Sequence, residues 1–352
     1  MGSLEPTDAA ERCVVNPAVK DALLAGLAFL IAWGVSLWST PRLREAAIRF
    51  GIVDRPDGKL KTQQEPVAYL GGLAVAFGML VAVGVTYSFS AEILGILFAG
   101  WIVLVLGLLD DLGSLSPKVK LAGQLLAVLV MIKADVRIHL VFLPEWVAIP
   151  LTVLWMLSVI NAFNLIDIMD GLSSGVGIVA AVYFGGIALI GGLSSTGFLG
   201  LALAGALLGF RRYNTAPAKI YLGDTGSMFC GFMLGALAMV NRYTIEHRLA
   251  AVVPLLILGV PFFDMLFVMY VRWRRGHPVM LGSPDHIALR LRKWRLSTEA
   301  TVHLNVIVSS ILGACGVAVM LVPLEWAAGL IGVLALLILV TAAWLKTIDM
   351  SL

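Results

Sequence analysis

Charge is scarce in this chain. Asp, Glu, Lys and Arg make up only 13% of its 352 residues, about half the share of an ordinary soluble domain. Cysteine is rarer still, with Cys13, Cys230 and Cys315 far apart, so neither a disulfide framework nor a zinc-ligand pattern is indicated. There is no Walker A phosphate loop, which argues against an ATPase. Short segments of alternating polarity are missing, and a membrane-spanning β-barrel would need them. The first twenty residues mix charges and lack a basic region followed by a cleavage site, so no cleaved signal peptide is expected. No internal repeat or low-complexity tract occurs. A net charge of +3 gives no reason to expect nucleic acid as a partner.

What the chain does have is oil. Hydrophobic residues make up 60% of it and the mean hydropathy is +0.95, which points to an all-α polytopic membrane protein. Apolar runs near 21–39, 69–88, 92–109, 120–133, 146–162, 173–192, 194–210, 227–244, 249–271, 302–322 and 325–345 predict eleven transmembrane helices. The fourth run is short, which leaves ten as the alternative count. Nineteen of the 25 Lys and Arg residues fall in 41–68, 110–120, 211–219, 272–300 and at Lys346, all on one side of these spans. Positively charged loops stay in the cytoplasm, so the N-terminus is expected outside and the C-terminus inside. The whole chain, 1–352, reads as a single transmembrane domain.

The unusual acids collect on that basic side. Asp110 and Asp111 end the third run, Asp167 and Asp170 end the fifth in "NAFNLIDIMDGL", and Asp224 lies in "KIYLGDTGS". A carboxylate at the edge of hydrocarbon is costly unless it is paired, hydrated or bound to a cation. Any one Asp at a helix end is ordinarily a cap or a solvated residue. Five in three loops, each loop rich in Gly and Lys, are harder to set aside. Phosphoryl transfer uses this mixture: carboxylates for a hard divalent cation, lysines for phosphate oxygens, and backbone N–H groups at glycine turns. In a helix, steps of three would align Asn161, Asn164, Asp167 and Asp170 along one stripe. The asparagines have a second reading, as hydrogen-bonding glue between membrane helices.

The segments "LGLLDDLGSLSPKVKLAGQ", "NAFNLIDIMDGL", "RRYNTAPAKIYLGDTGS" and "PFFDM", with a late His loop, resemble in order and spacing the polyprenyl-phosphate N-acetylhexosamine-1-phosphate transferases. Within that superfamily they are similar to the WecA/TagO-like branch rather than the muramoyl-pentapeptide branch. The resemblance covers residues 40 to 300 and implies an eleven-span enzyme of the bacterial inner membrane with a cytoplasmic site. It further implies dependence on Mg²⁺, with Mn²⁺ as a substitute. The implied reaction passes a sugar 1-phosphate from a UDP-sugar, UDP-GlcNAc above all, to polyprenyl phosphate, releases UMP, and starts an envelope glycan. UDP-GalNAc and UDP-MurNAc-pentapeptide are the alternative donors, and a homodimer is an admissible assembly.

Residue by residue, the resemblance assigns Mg²⁺ to Asp224, Asp110 and Asp111, the latter two also meeting the lipid phosphate. Asp167, Asp170 and Asn164 fall at the nucleotide end. Asn214 and Tyr221 would hold uracil by hydrogen bonding and stacking, and Lys61 and Lys120 would lie near the phosphates. The branch carries a His-x-His-His cluster in its last large loop, whereas here "DHIALRL" keeps only His286, with Arg290 four residues on. His286 and Arg290 are therefore expected to hold the diphosphate. Two other readings compare poorly. CDP-alcohol phosphotransferases need Ala and Arg where Ser174 and Gly175 stand. A lipid or ion transporter would place its acids at mid-membrane, where only Asp264 is expected.

Overall fold

The computed structural model describes residues 16–54, 66–86, 90–140, 143–278, 283–348 and 350. The apolar runs are helices, as they must be where no water can satisfy backbone N–H and C=O groups. In chain order these are α1 (Pro17–Arg49), a hairpin of β1 (Val53–Asp54) and β2 (Val67–Ala68), α2 (Gly71–Thr86), α3 (Ala91–Gly113), α4 (Pro117–Lys133) and α5 (Glu145–Ile166). There follow α6 (Leu172–Ile190), α7 (Ser194–Asn214), α8 (Gly223–Val240), a 3-10 turn at Arg248–Val252, α9 (Val253–Ile257), α10 (Gly259–Arg274), α11 (Ile287–Lys293), α12 (Thr298–Leu321) and α13 (Leu324–Thr347). Local chemistry sets several starts: Ser90, Ser116 and Ser297 each accept a hydrogen bond from the N–H three residues on, and Pro117 occupies the first turn of α4.

Among the described residues eight helices are long and apolar enough to cross a membrane, and nine if the pair Arg248–Ile257 and Gly259–Arg274 is one span. That pair corrects the expectation of an unbroken run at 249–271, because it bends by 79°. Pro261, lacking an N–H, cannot bond back across the break at Leu258. The expected spans 69–88 and 120–133 fall on α2 and α4, which have 16 and 17 residues. At 1.5 Å per residue each reaches about 25 Å, short of a ~30 Å hydrocarbon core.

Burial ranks the helices. Every residue of α8 from Thr225 to Ala238 is buried, whereas α13 buries only Ala327, Leu334 and Leu345 and leaves a broad leucine-rich face outward. The central helix is wrapped by α2, α3 and α5. Small residues let these backbones close up. A Cβ on Gly107 of α3 would run into the Asp224 carbonyl at 2.5 Å and Thr225 at 2.6 Å, and one on Gly72 of α2 would strike Gly226. Those two approaches bring the ends of α2 and α3 to the start of α8.

Candidate active site

Gly223 begins α8 in a left-handed conformation (φ 73°), and the first turn of the helix follows at Asp224 and Thr225. The motif "LGDTGS" is thus the helix start itself rather than a turn ahead of it. Asp111, from the end of α3, caps this start: Oδ1 accepts from Asp224 N at 2.9 Å, and Oδ2 accepts from Thr225 N at 3.0 Å and Thr225 Oγ1 at 2.6 Å. A carboxylate satisfies otherwise orphaned N–H groups there and sits favourably in the helix dipole. Its neighbour Asp110 faces elsewhere. It accepts from Leu115 N at 2.6 Å and pairs closely with Lys120, from the first turn of α4. Lys120 Nζ also donates to Asp224 Oδ2 at 2.6 Å, while Asn164 Nδ2 of α5 donates to Asp224 Oδ1 at 2.6 Å and to Ser227 Oγ at 3.0 Å. Four helix ends therefore converge on one carboxylate.

The expected stripe of four residues does not exist as such. Helix α5 ends at Ile166, so Asn161 and Asn164 are helical while Asp167 and Asp170 lie in the turn before Gly171, whose φ is 75°. Asn161 serves as interhelix glue, donating to Gln124 Oε1 of α4 at 2.8 Å. The 167–171 turn is tied to the 214–220 loop. Asp170 accepts from Ala218 N at 2.9 Å, and Arg211 Nη1 donates to the Gly171 carbonyl. Asn214 Oδ1 accepts from Gly171 N at 3.1 Å and Ser174 Oγ at 3.0 Å, and its Nδ2 donates to Ile220 O at 3.1 Å. Asn214 is thus a buried brace between two loops, a different task from the uracil contact expected of it. Tyr221 remains half-exposed beside the turn. Lys61 lies outside the described residues.

Electrostatics mark the turn as strained for charge. Burial pushes the Asp167 carboxyl well above its ordinary value, and Asp224, Asp111 and Asp170 push it the same way. Burial also raises Asp170, against the pull of Ala218 N–H and of Arg292. Burial drives the Tyr221 phenol up to about 12, with Asp170, Asp54 and Asp167 adding to it. A carboxyl raised by folding favours the fold while protonated and loses that contribution as pH rises through its folded value. Asp167→Asn should therefore raise the apparent melting temperature of the metal-free protein near pH ~8, with the gain fading toward pH ~4, where ordinary carboxylates protonate. Equal melting temperatures at the higher pH would show that the charge is already compensated.

His286 and Arg290 belong to a separate buried group. Asp264 of α10 accepts from Ile287 N at 2.7 Å, capping α11, and contacts His286 Nδ1 at 2.6 Å. The one acid expected deep in the membrane is thereby spent on structure. Arg290 is 1% exposed; Nη2 donates to Asp285 Oδ1 at 2.6 Å and Nη1 to the carbonyls of Leu345 and Ile348 at 3.0 and 2.8 Å. The expectation that Arg290 grips a diphosphate is not met by this geometry, because its donors fasten α11 to the end of α13. Arg290→Ala should destabilise the protein on the order of 3 kcal/mol and leave inhibition by UDP unchanged. A weakened UDP inhibition constant in a variant of normal stability would return Arg290 to the nucleotide.

Sequence reasoning passed over Thr225, Ser227, Asp54, Tyr69 and Arg292. The first two stand inside the quoted glycine motif, Tyr69 opens the "YLGG" whose glycine pair starts α2, and Asp54 and Arg292 carry no local signal. For a divalent cation the donor set is small. Among the described residues no three His, Cys, Asp or Glu side chains converge on a point. Two carboxylates, Asp110 and Asp224, do converge on the Lys120 ammonium. Mg²⁺ is commonly held by one or two carboxylates, with water and substrate phosphates completing its shell. That pair fits such an ion. The oxygens of all three acids have partners here, but those of Asp110 and Asp224 that meet at Lys120 face one another, whereas Asp111 gives both of its own to backbone N–H groups of α8.

Residues 93–241 match the family described as "Glycosyl transferase family 4". The chain is 33% identical over 285 residues to the "Probable undecaprenyl-phosphate N-acetylglucosaminyl 1-phosphate transferase" of Bacillus subtilis, spanning 78% of itself and 79% of that relative. It is 30% identical over 313 residues to the "Decaprenyl-phosphate N-acetylglucosaminephosphotransferase" of Mycolicibacterium smegmatis, spanning 78% and 75%. A Salmonella typhi relative named "Undecaprenyl-phosphate alpha-N-acetylglucosaminyl 1-phosphate transferase" is 28% identical over 289 residues, spanning 78% of each chain. The matched family region carries Asp110, Asp111, Lys120, Asn164, Asp167, Asp170, Tyr221 and Asp224.

Proposed function

Because the chain belongs to the polyprenyl-phosphate N-acetylhexosamine-1-phosphate transferase family, we propose that it transfers GlcNAc 1-phosphate from UDP-GlcNAc to a polyprenyl phosphate. The observation that carries this reading is the meeting of Asp110, Lys120, Asn164 and Asp224 at the start of α8. A fixed positive charge, paired carboxylates and a helix N-terminus at one point suit a diphosphate and an incoming phosphate.

In the reaction an oxygen of the polyprenyl phosphate attacks the sugar-bearing phosphorus of the donor. The bond from that phosphorus to the bridging oxygen breaks, and UMP leaves with that oxygen. A phosphate monoester has a second pKa of about 6, so the acceptor is largely dianionic near neutral pH and needs little help losing a proton. Asp110, held by Leu115 N and Lys120, is thus a positioning group rather than a base. Lys120 offsets charge on the transferring phosphoryl group, and Asn164 fixes the Asp224 carboxylate. Asp110 and Asp224 would hold Mg²⁺, or Mn²⁺ in its place, which when bound neutralises developing charge on the phosphate oxygens.

Asp167 and Asp170 face the nucleotide end, with Tyr221 as the stacking wall. The setting that suits the loop charges is the bacterial inner membrane, eleven spans counting α2, α4 and the bent pair, the N-terminus outside and the site facing the cytoplasm. The lipid-linked sugar diphosphate so formed starts an envelope glycan. Purified protein incubated with undecaprenyl phosphate should release UMP from UDP-GlcNAc in preference to UDP-GalNAc or UDP-MurNAc-pentapeptide. Release from another donor would reassign the sugar, and no release from any would overturn the reaction.

A further inference from the structure

The β1–β2 hairpin brings two side chains to the site that have no role in the account above, Asp54 and Tyr69. Its strands pair Val53 with Ala68 and Asp54 with Val67. The hairpin is then locked onto the segment that enters α8. Ala68 bridges Ile220, Tyr221 N donates to Ala68 O at 2.8 Å, and Gly71 N donates to Tyr221 O at 3.1 Å. This register fixes the backbones of the two tyrosines side by side, and their ring centroids lie 6.0 Å apart at 54°. At that spacing the rings touch, so nothing inserts between them. They form a corner in which one offers its face beside the edge of the other, so that a third flat ring can lie against one face and meet the second ring edge-on. Both are half-exposed.

The surroundings say what such a ring belongs to. Tyr221 lies in the field of Asp170 and Asp167, and Tyr69 in that of Asp111, so the corner spans the turn and the cap of α8. A ligand with phosphates at the start of α8 and a planar group beside the turn is a nucleotide. The Tyr69 hydroxyl donates to the buried Asp54 carboxylate. It therefore offers its ring to a ligand, and Asp54 fixes which way that ring faces.

We propose that Tyr69 is a second nucleobase-binding residue, forming an aromatic corner with Tyr221, and that Asp54 is the positioning residue that holds it there. The proposal rests on the reading of the site as a UDP-sugar site. UMP is the probe that separates the two, because its binding to the purified full chain needs neither acceptor lipid nor turnover. Tyr69→Ala, and Tyr69→Leu, which keeps bulk but has no π face, should each raise the UMP Kd and the UDP-GlcNAc KM by about tenfold. Both should leave the polyprenyl phosphate KM and the melting temperature close to wild type, and kcat within a few fold.

Asp54→Asn retains an acceptor for the hydroxyl and should behave as wild type. Asp54→Ala should raise the UMP Kd by about three- to fivefold, and should add nothing in a Tyr69→Leu background, since two residues acting through one contact are not additive. A Tyr69→Leu protein that binds UMP as wild type does would overturn the proposal alone. A shift in the polyprenyl phosphate KM instead would give the ring to the lipid. Wild-type protein that fails to bind UMP would overturn both this proposal and the UDP-sugar reading.

Discussion

Asp224→Asn should reduce UMP release by about a hundred- to a thousandfold, the scale seen when one preorganised stabilising group is removed from a desolvated catalytic site. The substitution is isosteric, and Asn can still accept from Asn164 through its one oxygen, so the local packing should survive. What it loses is charge. Lys120 Nζ is held between Asp224 Oδ2 and Asp110, and a neutral amide leaves the ammonium with one carboxylate instead of two. The same change removes one of the two carboxylates that fit a divalent cation, so Mg²⁺ should activate the residual turnover only at higher concentration. Melting temperature serves as the control for folding. Near-normal turnover with an unchanged Mg²⁺ requirement would sink the assignment of Asp224.

The second large effect is expected at a residue with no chemistry of its own. Gly107 sits one helical turn before the acidic pair, and a Cβ there would lie 2.5–2.6 Å from the backbone of Asp224 and Thr225. Backbone cannot rotate out of the way as a side chain can, so Gly107→Ala must push α3 away from α8. That shift would draw Asp111 off the N–H groups it caps at 2.9 and 3.0 Å and carry Asp110 away from Lys120 and Asp224. A displacement of about 1 Å in a reacting geometry commonly costs around a hundredfold in rate. Gly107→Ala should therefore lower kcat by ~100-fold or more and lower the melting temperature together. By contrast, Gly113→Ala on the same helix meets nothing within 4 Å and should be tolerated. Full activity in Gly107→Ala would mean that the close approach of α3 and α8 does not position the acids.

The residues that meet at the start of α8 were legible one segment at a time: Asp110, Asp111 and Asp224 because a carboxylate at the edge of an oily run needs a reason to be there, Lys120 and Asn164 through the resemblance. Their division of labour was not legible. Asp110 and Asp111 are adjacent in sequence and look alike, yet one faces a lysine and the other caps a helix, since successive residues on a helix point about 100° apart. Asn214 was expected at a base from the resemblance, and Arg290 at a phosphate from its charge and its place beside His286. In the structure each is buried with its hydrogen-bonding groups taken by loop carbonyls, N–H groups and a carboxylate. A residue type says what a side chain can bind, while its neighbours decide whether anything is left to bind.

The sequence by itself determined the solvent and the helical class, and from its loop charges it set an expectation of the side on which the chemistry gathers. These follow from composition and from the order of charged and apolar runs, which depend on no long-range contact. Tertiary structure decided how sharply helices break and, alone, what the ends do to one another. The 79° bend at Leu258 and the turn at Asp167 come from local backbone limits read in context. The register that sets Tyr69 against Tyr221 comes from hydrogen bonds between segments about 150 residues apart in the chain. The physical reason is the same in each case: a helix end has unsatisfied groups, and which distant residue satisfies them is fixed only when the backbones pack closely enough for one choice to fit.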